Sequence, residues 1–185
     1  RAEKKYLESL KRFMGRYSGV YLGEWESYTP STTGEEPRLL HPPLSYRLKM
    51  AEELSRLAWK AGIGFQTCKE GLFHLHHPAS MDCCGFGYLS PSPHRRSHLA
   101  DFYKILLTKT SISSDKVSVN VLCATDEKLL CRDKLDFMPR WLRRAFLLHE
   151  RRLDKILKTP EYVLKLSPAI GFSGKEYFVK YKPLF

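Results

Sequence analysis

No run of 18 consecutive apolar residues occurs anywhere in this 185-residue sequence, so nothing in it is written to cross a bilayer as a helix. A basic-then-apolar leader with a small-residue cleavage site is also missing, which leaves the cytoplasm as the expected compartment. There is no internal repeat and no low-complexity tract, so no repeat architecture is indicated. Cysteine is scarce and irregularly spaced, at Cys68, Cys83, Cys84, Cys123 and Cys131. An odd count of this kind fits reduced thiols or metal ligands better than a disulfide framework. What the chain does have is apolar mass, with 43% hydrophobic and 12% aromatic residues, enough for one ordinary core and too much for disorder. It opens at Arg1 rather than Met, which leaves a fragment of something longer as one of the readings.

Acidic side chains are the other shortage. Asp and Glu number 20 against 31 Lys and Arg, a formal net charge of +11. Most of the excess lies late in the chain: residues 91–185 hold 19 basic and 10 acidic side chains, whereas residues 1–90 hold 12 and 10. A polyanion such as nucleic acid is therefore expected to meet the second half, with a merely solvated basic surface as the plainer alternative.

Apolar spacing predicts a helix over Ala2–Met14 and a strand near Gly19–Leu22. A Pro/Gly/Ser/Thr-rich loop follows at 28–43, then a helix over Leu44–Lys60 stopped by Gly62, then a short strand "IGFQT" running out at Cys68. This alternation reads as an α/β fold with a partial parallel, barrel-like αβ unit over residues 1–90, in which ligands gather at the carboxyl ends of strands. "SPSPHRRSH" marks the boundary to a basic α+β appendage over 91–185. There we expect a helix at Leu99–Leu107, a strand in "KVSVNVLCA" from the alternation of Val117, Val119 and Val121, and a helix start at Thr125. A long helix is expected from Pro139 to Leu157, its core stripe including Leu142, Ala145, Phe146, His149, Leu153, Ile156 and Leu157. A terminal hairpin would be built from "EYVLKLS" and "KEYFVKYK".

Three constellations bear on chemistry. Cys68, His74, His76, His77, Cys83 and Cys84 crowd into 17 positions, and thiolate and imidazole ligands suit zinc or iron. Their spacing matches no zinc ribbon or finger, so buried thiols and loop histidines remain the commoner outcome. Cys68 at a strand end, with Glu70 beside it, is the candidate reactive thiol with a carboxylate to serve as acid, base or anchor. The third constellation is cationic. Arg140, Arg143, Arg144, Arg151 and Arg152, with Lys155, fall on the outer face of the long helix, and Lys180 and Lys182 alternate with Tyr177, Phe178 and Tyr181, a composition that suits phosphates and stacked bases. The same alternation also suits a hairpin that buries its tyrosines. Cys123 reads as a core residue and Cys131 as a cysteine in a polar helix without partners.

The stretch "YRLKMAEELSRLAWKAGIGFQTCKEGLFHLHHPASMDCCGFGYL" (residues 46–89) resembles the C-terminal part of archaeal radical S-adenosylmethionine proteins similar to spore photoproduct lyase. There a last barrel helix leads into a strand, a Cys-x-Glu, a Leu-His and a cysteine followed by glycine, here Cys68, Glu70, Leu75–His76 and Cys84–Gly85. The resemblance implies a [4Fe–4S] cluster and S-adenosylmethionine used in radical chemistry, supplied with an upstream segment, since the family's CxxxCxxC motif is absent here. On that reading Cys68, Glu70, His76 and Cys84 line the substrate side. The alternatives are a non-catalytic nucleic-acid-binding module whose His/Cys loop (His74, His76, Cys83, Cys84) holds zinc, and a subunit that completes a partner protein's barrel.

Overall fold

The computed structural model describes residues 39–67, 70–77, 96–127 and 129–185. It also describes the strand backbone of Glu26–Tyr28 and three helical residues, Lys5, Glu8 and Arg12, whose spacing puts all three on one exposed face of the expected first helix. The predicted strand near Gly19–Leu22, the central part of the 28–43 loop, and Cys68, Cys83 and Cys84 lie outside the described residues. The chain divides into two compact units, 1–53 and 54–185.

In the first unit, β1 (Glu26–Tyr28) pairs antiparallel with β2 (Leu39–His41), Ser27 opposite Leu40. Pro42 and Pro43 then launch α1 (Leu44–Lys60). The Arg47 N–H donates to the Pro43 carbonyl at 3.1 Å and its Nε to that of Pro42 at 2.9 Å, closing the first turn. Within the second unit α1 ends as its sequence dictates. Gly62 adopts φ +68°, its N–H donates to the Trp59 carbonyl, and the Ile63 N–H reaches back to that of Ala58. This pair of bonds is the Schellman stop that a glycine one residue past a helix makes available.

The remainder of the second unit is mixed α and β. It comprises α2 (Leu99–Lys109), β3 (Ser111–Ser113), α3 (Val119–Thr125), α4 (Arg140–Leu157), α5 (Pro160–Leu166), β4 (Ile170–Ser173) and β5 (Glu176–Val179). The three strands form an antiparallel sheet in the order β3-β5-β4, with Tyr177 facing Ile112 on one side and Phe172 on the other. Tyr177 is fully buried, meets Phe102 edge-on at 5.2 Å, and donates its hydroxyl to the Leu157 carbonyl at 2.8 Å. Burial raises that phenol to about 12. Around it pack Leu106, Val117, Val119, Leu122, Leu129, Leu153, Val163 and Ile170. At roughly 1.5–3 kcal/mol for each large apolar side chain removed from water, this cluster is the main source of stability.

Several expectations are corrected. Every strand pair among the described residues is antiparallel, so the parallel barrel-like unit does not describe them, and "IGFQT" runs without strand pairing. The valines of "KVSVNVLCA" form no strand: Val119–Thr125 is helical, and Thr125, expected to start a helix, is the last residue of this one. Ser118 accepts from the Val121 N–H, and the Asp154 carboxylate from α4 accepts from the Val119 N–H at 2.9 Å. Two of the helix's orphan donors are thus satisfied, which outweighs the β preference of valine. "EYVLKLS" is likewise helical, as α5, with Pro160 at its first turn. The hairpin is instead "IGFS" against "EYFV", turning at Gly174 with φ +61°. No described helix is long and apolar enough to cross a membrane.

The expected free thiols at Cys123 and Cys131 are joined in a disulfide across a sequence separation of 8, with Cα atoms 6.1 Å apart. Cys131 is therefore partnered, and it anchors the segment entering the short 3-10 turn Arg132–Lys134 to α3. A crosslink closing a loop this short restricts the unfolded chain by about 2.5 kcal/mol. Urea unfolding with and without reductant should show a lower midpoint, equivalent to a loss of unfolding free energy of about that size, which a Cys123→Ser/Cys131→Ser double variant should reproduce. Identical midpoints would mean that the bridge contributes nothing.

Candidate functional site

The histidine-rich turn is built by the chain folding back on itself. After Gly62, residues 63–67 run without regular secondary structure, and a tight turn follows in which the N–H groups of Glu70 and Gly71 both reach the Thr67 carbonyl at 3.1 Å. A short 3-10 turn, Phe73–Leu75, then brings His76 and His77 alongside Phe65 and Thr67. The Thr67 N–H donates to His76 Nε2 at 3.0 Å. The proton of a neutral His76 therefore sits on Nδ1. Desolvation holds this imidazole well below its usual value, near 4, helped by the positive charge of Lys104 and by the neighbouring His74 and His77.

His77 is buried, and both of its nitrogens face chain oxygens. Nδ1 lies 3.1 Å from the Ile63 carbonyl, while Nε2 lies 3.0 Å from the Ser55 carbonyl and 3.1 Å from its hydroxyl. Ser55, buried in the second half of α1, donates its hydroxyl to the Leu75 carbonyl at 2.8 Å. Trp59 and Phe185 close over the ring edge-on at 5.1 and 4.7 Å. His74 is buried against Tyr181 at 5.0 Å. His76 and His77 act as clips between α1, residues 63–67 and the turn, His76 accepting from a backbone N–H and His77 facing backbone carbonyls. Among the described residues no group of three or more His, Cys, Asp or Glu could hold a metal ion. The described residues therefore do not by themselves make a zinc or iron–sulfur site, and Cys68, Cys83 and Cys84 lie outside them. Glu70 sits half-buried in the turn.

α4 gives a different picture. Phe146, Glu150, Leu153 and Leu157 are its buried side, whereas Leu142 and Ala145, expected in the core, are exposed. The two acids of this helix are both used internally. Glu150 is buried, where desolvation raises its carboxyl above the ordinary range while Arg132, 3.6 Å away, pulls it back. Asp154 caps α3 and holds Lys158 at 2.9 Å. Among the expected cations, Arg143 turns toward the preceding loop, its guanidinium 3.2 Å from the Asp136 carbonyl and 3.4 Å from its carboxylate. Arg140, Arg144, Arg151, Arg152 and Lys155 are exposed, so the outer face carries positive charge with no acid of its own helix upon it.

Two exposed aromatic residues were overlooked by the sequence reading, Trp141 on that face and Phe137 in the turn before the helix. Trp141 is 73% and Phe137, four residues earlier, 69% exposed. Leu148 follows at 49%. The signal was available, because Trp141 lies opposite Glu150 on a helical wheel. The terminal hairpin offers less: Tyr177 is a core residue, and Phe178 lies across Gly171, where a Cβ would collide with its ring. Lys180 and Lys182 are exposed, and Lys180 Nζ rests 5.4 Å from the centre of the Tyr181 ring. No known protein family, curated protein or solved structure matches this chain.

Proposed function

We propose that the chain is a nucleic-acid-binding module that meets its ligand through the outer face of α4. The observation carrying this reading is the disposal of that helix's acids: Glu150 and Asp154 are consumed by contacts within the fold, while Arg140, Arg144, Arg151 and Arg152 remain on the surface. An α-helix of this length extends about 27 Å and can follow several phosphates. Binding of a labelled oligonucleotide at several salt concentrations is the test. Each arginine changed to glutamine should reduce the slope of log affinity against log salt by about 0.7–0.9, and the fourfold variant should bind at least about tenfold more weakly in low salt. Unchanged affinity in the fourfold variant refutes the reading.

A second proposal keeps the family resemblance: the chain as the C-terminal portion or subunit of a radical S-adenosylmethionine-like enzyme. It is favoured by the helix α1 being followed closely by the turn that carries Glu70. Joining an upstream segment bearing CxxxCxxC and reconstituting with iron and sulfide anaerobically would give cluster absorbance on this reading. A featureless spectrum would end it.

A further inference from the structure

We infer that the ligand of α4 is single-stranded nucleic acid, read by stacking of unpaired bases on Trp141 and Phe137 beside the arginines that hold its phosphates. The inference rests on the nucleic-acid reading above and deepens it to a substrate class.

Phe137 and Trp141 leave two large rings largely exposed close in sequence, and Trp141 lies at one end of the cationic face of α4. Phe137 precedes the helix and Trp141 is its second residue, with Arg140 and Arg144 within one turn of the indole. Such alternation of guanidinium and ring suits a flexible strand, whose successive phosphates and base faces are both accessible. In a duplex the base faces are stacked on one another, and neither ring would find a platform partner without prising the helix apart.

The competing ligand for a basic, aromatic helix face is an anionic bilayer, and the residue pattern argues against it. A helix lying in a membrane interface segregates an apolar side from a charged one. Here Trp141, Leu148, Arg152 and Lys155, at spacings of 7, 4 and 3, share a single narrow stripe. Sinking Trp141 and Leu148 into lipid would carry Arg152 and Lys155 down with them. Along a nucleic-acid strand the same stripe places cations and rings in series.

The test uses the whole chain with three probes: a labelled strand of about 20 nucleotides of mixed sequence, the duplex of the same strand, and vesicles rich in phosphatidylserine. The strand should bind at least about tenfold more tightly than the duplex at equal salt. Trp141→Ala should weaken strand binding about 5- to 160-fold while changing duplex binding less than about twofold, since one stacked base contributes on the order of 1–3 kcal/mol. Trp141→Phe, which keeps a ring, should recover most of the loss, and Phe137→Ala should weaken the strand in the same direction. Equal affinity for strand and duplex, with Trp141→Ala silent on both, overturns the inference and leaves the nucleic-acid reading standing. Binding to vesicles with no binding to either nucleic acid overturns both.

Discussion

Replacing Gly71 with alanine should remove more than about 4 kcal/mol of stability, a large part of what a domain of this size has to lose. Two effects combine. Gly71 adopts φ +63°, which costs a residue with a Cβ about 1–2 kcal/mol. The added carbon would also overlap the Leu166 carbonyl oxygen and crowd Ser167, and those are main-chain atoms at the end of α5 that have no rotamer to escape into. Separating them would also break the bond from the buried Ser167 hydroxyl to the Gly71 carbonyl, 2.9 Å long. Gly62→Ala is the matched control: its φ is +68°, but a Cβ there meets nothing within 4 Å, so only the conformational cost of about 1–2 kcal/mol should remain. Urea denaturation of the two variants decides the matter. If both lose the same amount, the close approach of the histidine turn to α5 is not what fixes Gly71.

Acidification should unfold the molecule through His76. Its ring is neutral in the fold, accepting from the Thr67 N–H, and its value stands near 4 against an ordinary 6.5. Below pH 6.5 the unfolded chain binds a proton that the folded one refuses. The stabilisation is therefore complete above about pH 6.5 and drains away as pH falls toward 4. Over that interval the loss amounts to about 3 kcal/mol. Desolvation is the largest cause of that shift, with smaller contributions from Lys104 and the neighbouring His74 and His77. His76→Gln retains an acceptor for the Thr67 N–H but cannot take up the proton, so its unfolding midpoint should fall much less between pH 7 and pH 4.5. Parallel profiles for the parent and the variant would show that another group carries the acid sensitivity.

Legibility from sequence tracked how local the deciding interaction was. α1 was readable, with Gly62 ending it, because helix spacing and the stop lie within one stretch. α4 was readable for the same reason, from Pro139 to Leu157. α3 was misread because one of its two N-terminal acceptors, Asp154, lies 35 residues away, while the local valine alternation pointed to a strand. α5 was misread although Thr159-Pro160-Glu161 is a helix-start pattern; its apolar run looked more persuasive than its punctuation. The disulfide escaped because spacing alone cannot say that Cys123 and Cys131 face each other across the end of α3.

At the candidate sites the same rule held. The crowding of His74, His76 and His77 was plain in the sequence, but that His76 and His77 are spent on Thr67, Ile63 and Ser55 depends on how the chain doubles back. For α4, the arginines were evident as a set. That Glu150 and Asp154 point the other way, leaving Trp141 outward among cations, needed the packing of Arg132 and of α3 to be known.

The sheet has one more consequence. β5 is bonded along both edges, and its flanking strands are only three and four residues long, with Ile170 and Gly171 shielded from water. A foreign strand finds almost no continuous ribbon here to zip onto. Copies of the molecule should therefore join poorly edge to edge through this sheet.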